Sequence, residues 1–416
     1  MTSTAATTTA RFPQFSLFAG MLAFAGLPLY IHAPKFFADE YGVSLSLLGV
    51  ALLAVRGLDF IQDPALGWVA DRLNGWQAPA AVLAAVTMAV GMVALFAVPA
   101  FISPIWWFVI CLAVLFTAYS FLTILFYAQG IATASRYGPR GHKTLAAWRE
   151  GGALLGVCLA AALPSVLQGF GLSAPMAFFA YIFAAIALLA AAAMYFDWTG
   201  VASEAAPVWQ ALRDRGIRRL MILGVLNSAP VAVSSTLFLF FVADRLGYDS
   251  DAVGGPLFVV FFLCAAASVP AWSALADRIG MKKTLLSGMG LSIAAFAWAL
   301  GLGEGDVIAF GIICALSGAA LGADMTFLPA LFARRVEEIR MPAGLGFGLW
   351  NFCAKLSLAV AAATVLPALD ISGFETGVQN TPEALWSLTL LYAGLPCLLK
   401  IIAFSFLART NLGGHS

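Results

Sequence analysis

Apolar runs of about twenty residues or more follow one another along this chain, separated by short stretches of glycine, proline and charge. A helix that crosses a membrane needs about 20 mostly apolar residues. Run length and breaker residues predict twelve such helices, at about 14–38, 45–71, 78–101, 105–131, 146–168, 174–198, 219–243, 252–276, 283–302, 307–333, 343–368 and 384–407. The longest polar interruption, 199–218, falls between the sixth and seventh. It divides the chain into an N-terminal six-helix bundle (1–200), a linker (201–218) and a C-terminal six-helix bundle (219–416).

The two halves repeat. Ala38-Asp39-x-x-Gly42 and Gly49 recur 205 positions later as Ala243-Asp244-x-x-Gly247 and Gly254, and Asp71-Arg72 recurs 206 positions later as Asp277-Arg278. Several matches at nearly one offset, each at the same helix end, indicate an internal duplication. Two parallel six-helix repeats around a central site form the plan of the major facilitator architecture, an all-α integral membrane fold. The Asp-Arg pairs serve either as caps at one face of the bundle or as a conformational latch formed by Asp71, Arg72, Asp277 and Arg278. The two roles are compatible.

Composition agrees. Of 416 residues, 62% are hydrophobic and 10% are charged, against about 25% charged in soluble domains. Basic and acidic loops alternate. Arg72, Arg136, Arg140, Lys143, Arg213, Arg215, Arg218, Arg219, Arg278, Lys282, Lys283, Arg334, Arg335 and Arg340 gather on one side, with Arg11 and Arg409 near the termini. Asp39, Glu40, Asp244, Asp249, Asp251, Glu304, Asp306, Asp370, Glu375 and Glu383 gather on the other. The positive-inside rule then puts both termini and the central linker in the cytoplasm. The expected location is a cell (inner) membrane, crossed many times. A net charge of +1 gives no reason to expect nucleic acid. The six cysteines are scattered in apolar runs without C-x-x-C spacing, and read as small buried hydrophobes.

Charge inside the apolar runs carries the chemistry. In Arg56-x-x-Asp59-x-x-x-Asp63-Pro64-x-x-Gly67-x-x-x-Asp71-Arg72, residues Arg56, Asp59, Asp63 and Gly67 fall within roughly 80° of one another on a helix. Asp59 lies near the middle of predicted helix 2 and Lys355 near the middle of helix 11. Asp324 is inside helix 10, and Arg149 and Glu150 are one turn into helix 5. Each charge standing alone in lipid would cost about 3 kcal/mol, so the set must pair or line a wet cavity. A salt-bridge cluster tying the halves together is one reading. A functional cation site is the other, since carboxylates at i and i+4 bind a small cation or share a proton. Arg56 and Lys355 are the charge partners, and Lys355 would fill the site when the cation is absent.

These residues bring a resemblance. The helix-2 motif Arg56 to Arg72 is similar to the signature of the glycoside–pentoside–hexuronide:cation symporters, the melibiose permease-like family. Gly348-Leu-Trp350-Asn351-Phe-Cys-Ala-Lys355-Leu resembles their helix-11 motif. Trp148-Arg149-Glu150 followed by Gly152 and Gly156 resembles the start of their helix 5. The resemblance implies that Asp59 and Asp63 are cation-site carboxylates, Lys355 the helix-11 lysine beside them, and Arg149 a border of the substrate cavity. The sugar-binding members also carry an acid within helix 1 and within helix 4. Here helix 1 has none between Phe15 and Ala38, and helix 4 none between Ile105 and Ile131, with Thr123 near the helix-4 place. That departure turns the expectation away from galactosides and from sodium, which needs several hard oxygen ligands, toward a proton.

Other residues complete the candidate cavity. Tyr119, Thr123 and Tyr127 share one face of helix 4, where they line the cavity or make helix–helix contacts. Trp350 and Asn351 lie one turn before Lys355. Asn227, Ser228 and Pro230 mark a break in helix 7. Asp324 is a second titratable site or the partner of a polar group on a neighbouring helix. His142 and His415 read as solvated, and His32 as a polar residue facing a neighbouring helix. The expected function is a secondary transporter of a small polar organic solute, a glycoside or carboxylated sugar, coupled to H⁺ or Na⁺ by alternating access. It is expected to work as a monomer in the bilayer with no cofactor and no metal beyond a transported Na⁺. The alternatives are an exporter or flippase of an amphipathic molecule such as a lysolipid and, last, a non-transporting sensor. Nothing in the chain spells an enzyme: no nucleophile–base set, metal-ligand spacing or phosphate loop is present.

Overall fold

The computed structural model describes residues 12–27, 29, 32–73, 75–172, 174–198, 213–248, 250–374 and 379–410. Arg11, His415, Asp249, Glu375 and most of the expected linker lie outside the described residues. Each predicted span holds a helix among the described residues. The helices are α1 (Pro13–Leu27, resuming as Ala33–Tyr41), α2 (Leu45–Asp71), α3 (Gln77–Phe96), α4 (Pro104–Ala134), α5 (Gly141–Gly169) and α6 (Pro175–Met194). The second half holds α7 (Arg215–Phe240), α8 (Ser250–Ile279), α9 (Met281–Ala299), α10 (Val307–Glu338), α11 (Ala343–Ile371) and α12 (Pro382–Thr389 and Leu395–Arg409, joined by a π-helical turn). Among the described residues, nine helices meet the length and hydropathy expected of membrane spans. α2 is not one of them.

Packing repeats the duplication seen in the sequence. α1 packs on α5, α2 on α4, α3 on α4 and α3 on α6. Their counterparts α7 on α11, α8 on α10, α9 on α10 and α9 on α12 do the same. The main contacts between halves are α2 with α11 and α8 with α5, which interchange when the halves are exchanged. Gly42 and Gly247, matched in the repeat, both take left-handed backbone angles (φ 64° and 75°), just past the end of α1 and just past the π-helical turn Phe241–Arg245 that continues α7. Without a hydrophobic drive inside lipid, helices associate where small residues let backbones approach. On α1 and α5, a Cβ at Gly156 would sit 2.8 Å from the Gly20 Cα.

Two boundaries change the expected picture. α5 begins at Gly141, after a 3-10 turn over Ser135–Arg140, rather than near residue 146. His142 is therefore not a solvated loop residue. It is buried on the first turn of α5, 2.5 Å from Glu337 of α10. α10 runs on to Glu338, so Arg334 and Arg335 lie on its last turns, where Glu338 pairs with both. Arg335 also grips Asp214 at 2.7 Å, and Asp214 caps α7 by accepting from the Ile217 amide at 2.9 Å. The Arg335 hydrogen bonds hold the Asp214 carboxyl below the usual carboxylate range.

Asp214→Ala is expected to remove about 1 kcal/mol from the start of α7, read as lost amide hydrogen-exchange protection over residues 215–219. Because the folded-state pKa is lowered, the contribution is full above the ordinary carboxylate range. It disappears as pH falls through the lowered value, so wild-type and variant protection converge in acid.

Candidate functional site: a charged cluster between the halves

Helix geometry puts Asp59 and Asp63 on the face of α2 that meets α11, and both are fully buried. Lys355 of α11 reaches across. Its Nζ lies 2.9 Å from Asp59 Oδ2 and 3.0 and 3.1 Å from the two Asp63 oxygens. Ser120 of α4 closes the cluster. Its hydroxyl donates to Asp59 Oδ1 at 2.7 Å and accepts from Lys355 at 2.7 Å. The ammonium straddles the Asp63 carboxylate, so Oδ2 has charge contact but no well-directed hydrogen bond. Three helices from two halves thus meet on one cation.

Below the cluster, toward the basic loops, α2 and α11 touch backbone to backbone. A Cβ on Gly348 would lie 2.6 Å from the Asp63 carbonyl oxygen, and one on Gly344 would lie 2.6 Å from that of Gly67. Asp71 then receives the Gly344 and Leu345 amides at 2.7 Å each, capping the start of α11. Its repeat-mate Asp277, at the end of α8, pairs at 2.5 Å with Lys143 at the start of α5. The two aspartates of the expected latch therefore both cross between halves, each onto the equivalent helix start. The arginines do not: Arg72 stacks on Trp68 of its own helix, 3.5 Å from the ring centre, and Arg278 is exposed.

A second network lies within the N-terminal half. Arg149 and Glu150 of α5 are buried and paired at 2.8 Å. Arg149 stacks 3.7 Å over the Tyr127 ring, whose hydroxyl donates to Glu150 at 3.1 Å. Arg149 Nη2 is buried without a hydrogen-bond partner. Tyr127 also packs on Phe347 of α11. Thr123 donates to the Tyr119 carbonyl of its own helix, and both are half-buried. Arg56 and Asn351 are half-buried on α2 and α11. Trp350 packs its ring on Phe332 and covers Gly224.

Asp324 stands apart from this cluster. It pairs with Lys400 of α12, which also donates to Asn227 of α7 at 2.6 Å. Of its two expected readings, the structure shows the partner of a neighbouring helix. Ser120 and Lys400 were not singled out from the sequence. Lys400 carried a signal, a lysine within the apolar run of predicted helix 12, whereas a lone serine in a membrane helix carries none.

The MFS/sugar transport protein family matches residues 15–414. This chain belongs to that family. It is therefore a multi-pass membrane transporter and not an enzyme. A "glucuronide carrier protein homolog" from Escherichia coli (strain K12) is 24% identical over 43% of this chain and 40% of its own length. The chain thus matches well under half of that carrier. Among solved structures, FucP in the outward conformation superposes with a TM-score of 0.71 at 14% identity, over 96% of this chain and 98% of that one. A bacterial homologue of the iron transporter ferroportin, outward-facing, gives 0.66 at 15% identity, over 96% and 100%. These likenesses are of fold, twelve helices in two bundles.

Removing one partner of a buried ion cluster strands the rest. Lys355→Met is expected to destabilise the purified transporter by on the order of 3–5 kcal/mol. Lys355→Met with both Asp59→Asn and Asp63→Asn should recover most of that loss, read as apparent melting temperature in the same detergent.

Proposed function

We propose that this protein is a proton-coupled secondary transporter of a carboxylated sugar or similar small polar acid, working by alternating access as a monomer in the cell membrane. Both termini lie in the cytoplasm on this reading, in keeping with the basic loops. The observation that carries it is the single lysine of α11 held by two buried carboxylates of α2. A proton and the Lys355 ammonium compete for the same oxygens. Protonating Asp59 or Asp63 weakens the hold on Lys355, which is the bond between the halves at mid-depth. The α2–α11 seam can then part, and the basic-face contacts of Asp71 and Asp277 part with it. A proton needs no further ligands, whereas Na⁺ needs several oxygens that the lysine already occupies.

Arg149 supports the carboxylated cargo. Its Nη2 is buried without a hydrogen-bond partner in this conformation, and a guanidinium fork suits a carboxylate once the cavity opens. The partial likeness to a glucuronide carrier points the same way. One observation favours the alternative, an amphipathic cargo. A groove of about 630 Å³ between α1, α5 and α8 is walled by residues such as Leu155, Leu263 and Val269, with Lys143 and Ser273 at one end.

The test is uptake of glucuronides and of a lysolipid into proteoliposomes under separate pH and Na⁺ gradients. The expected result is glucuronide accumulation driven by the pH gradient alone. Asp59→Asn and Asp63→Asn should each lower accumulation at least tenfold while one-for-one exchange across the membrane persists. Full uphill uptake by both variants would overturn the coupling site, and lysolipid movement without glucuronide uptake would overturn the cargo.

A further inference from the structure

An aromatic contact crosses between the halves. Tyr127 of α4 meets Phe347 of α11 with ring centres 5.0 Å apart. Tyr127 lies seven residues beyond Ser120, and Phe347 eight residues before Lys355. α4 runs toward the basic loops and α11 starts there. The rise of a helix therefore puts both rings roughly 10–12 Å from the charged cluster, on its basic side. Beyond them, three residues nearer the start of α11, the Gly344 amide meets Asp71. The ring pair thus stands between the charged cluster and the contacts at the basic face.

Each ring is held by its own half. Phe347 is fully buried and backed by Phe332 of α10, ring centres 5.5 Å apart. Its neighbour Gly348 lies against the Asp63 backbone, which sets how close α11 stands to α2. The Arg149 guanidinium lies 3.7 Å over the Tyr127 ring, and the Tyr127 hydroxyl donates to Glu150 at 3.1 Å. Arg149 and Glu150 are paired with each other. Parting Tyr127 from Phe347 therefore breaks no hydrogen bond and strands no charge. Parting α11 from α2 at Lys355 leaves buried charges unpaired. The ionic contacts at the basic face are wet, with the Asp277 and Glu337 side chains 46% and 37% exposed. Wet ion pairs do not exclude water, whereas an apolar constriction does so by dewetting.

We propose that Tyr127 and Phe347 form the inner barrier of the transport path, an aromatic plug that closes it between the charged cluster and the basic face and opens when the halves rock apart. Arg149 and Glu150 are positioning residues for the plug. One fixes the face of the Tyr127 ring and the other its hydroxyl. The ionic contacts of Asp71, Asp277 and His142 hold the halves together, and the rings decide what passes between them. The plug rests on the alternating-access part of the proposed function and on its cytoplasmic placing of the basic face. It does not rest on the coupling ion or the cargo.

The test is thiol labelling of Thr123→Cys in the full-length protein with its six native cysteines replaced by alanine. Thr123 is half-buried, one turn from Tyr127 toward the charged cluster. The probe is a membrane-impermeant cationic methanethiosulfonate, applied to right-side-out and to inside-out membrane vesicles. Labelling is expected from the outer face, and about tenfold more slowly from the inner face, where the dry plug intervenes. Tyr127→Ala and Phe347→Ala should each raise the inner-face rate by about tenfold, because each removes one ring of the constriction. Tyr127→Phe keeps the ring and should leave the rate near that of the parent. Lost packing alone would lower the melting temperature without changing the face from which the thiol is reached. If Phe347→Ala misfolds, Phe347→Leu keeps an apolar side chain at the buried position and should still raise the inner-face rate. An unchanged inner-face rate in folded variants overturns the plug and leaves alternating access standing. Labelling from neither face overturns the plug, since the path then does not pass Thr123. Equal labelling from both faces of the parent overturns the plug and alternating access together.

Discussion

A buried ammonium shared between two carboxylates sets the terms for this molecule. Lys355, Asp59 and Asp63 sit at mid-depth of the helices, where a lone charge costs several kcal/mol. None of them can be left unpaired, so α11 is held to α2. Ser120 brings α4 to the same point. A hydrophobic interface of similar size would hold as well, but it could not be loosened by a proton. On the proposed coupling, a charged one ties packing to ion binding.

The remaining inter-half contacts follow from that anchor. With α2 and α11 drawn together, Gly67, Gly344 and Gly348 allow the backbones to meet, and Asp71 completes the seam at the basic face. The duplicated pairing builds a matching contact from Asp277 and Lys143, and His142 with Glu337 adds a third. These contacts cross between the halves. Arg149 with Glu150, and Lys400 with Asp324, are held inside one half each. A rocking motion therefore breaks the first group and spares the second, which is the division alternating access requires.

Much of the fold was legible because lipid imposes length and polarity directly on each helix. The twelve spans, the duplication and the inward stripe of α2 all follow from local pattern. The pairing of Lys355 with Asp59 and Asp63 was legible as well, since each charge needed a partner and their depths agreed. Where reading failed, the cause lay far along the chain. The α5 boundary was misplaced because Gly141, His142 and Lys143 look like loop chemistry. Their burial depends on α8 and α10 arriving with Asp277 and Glu337, and nothing near residue 142 announces that.

The sequence by itself determined that this chain spans a membrane in two related halves and that opposite charges meet at the interface between them. Depth in the bilayer can be counted along a helix, and unpaired charge there is prohibitive, so one dimension suffices. Only the tertiary structure decided which oxygen meets which nitrogen. It brought Ser120 into the cluster and gave Asp324 to Lys400 instead of the interface. Those outcomes depend on rotation of each helix about its axis and on side chains from helices distant in sequence, and neither is written in a single run of residues.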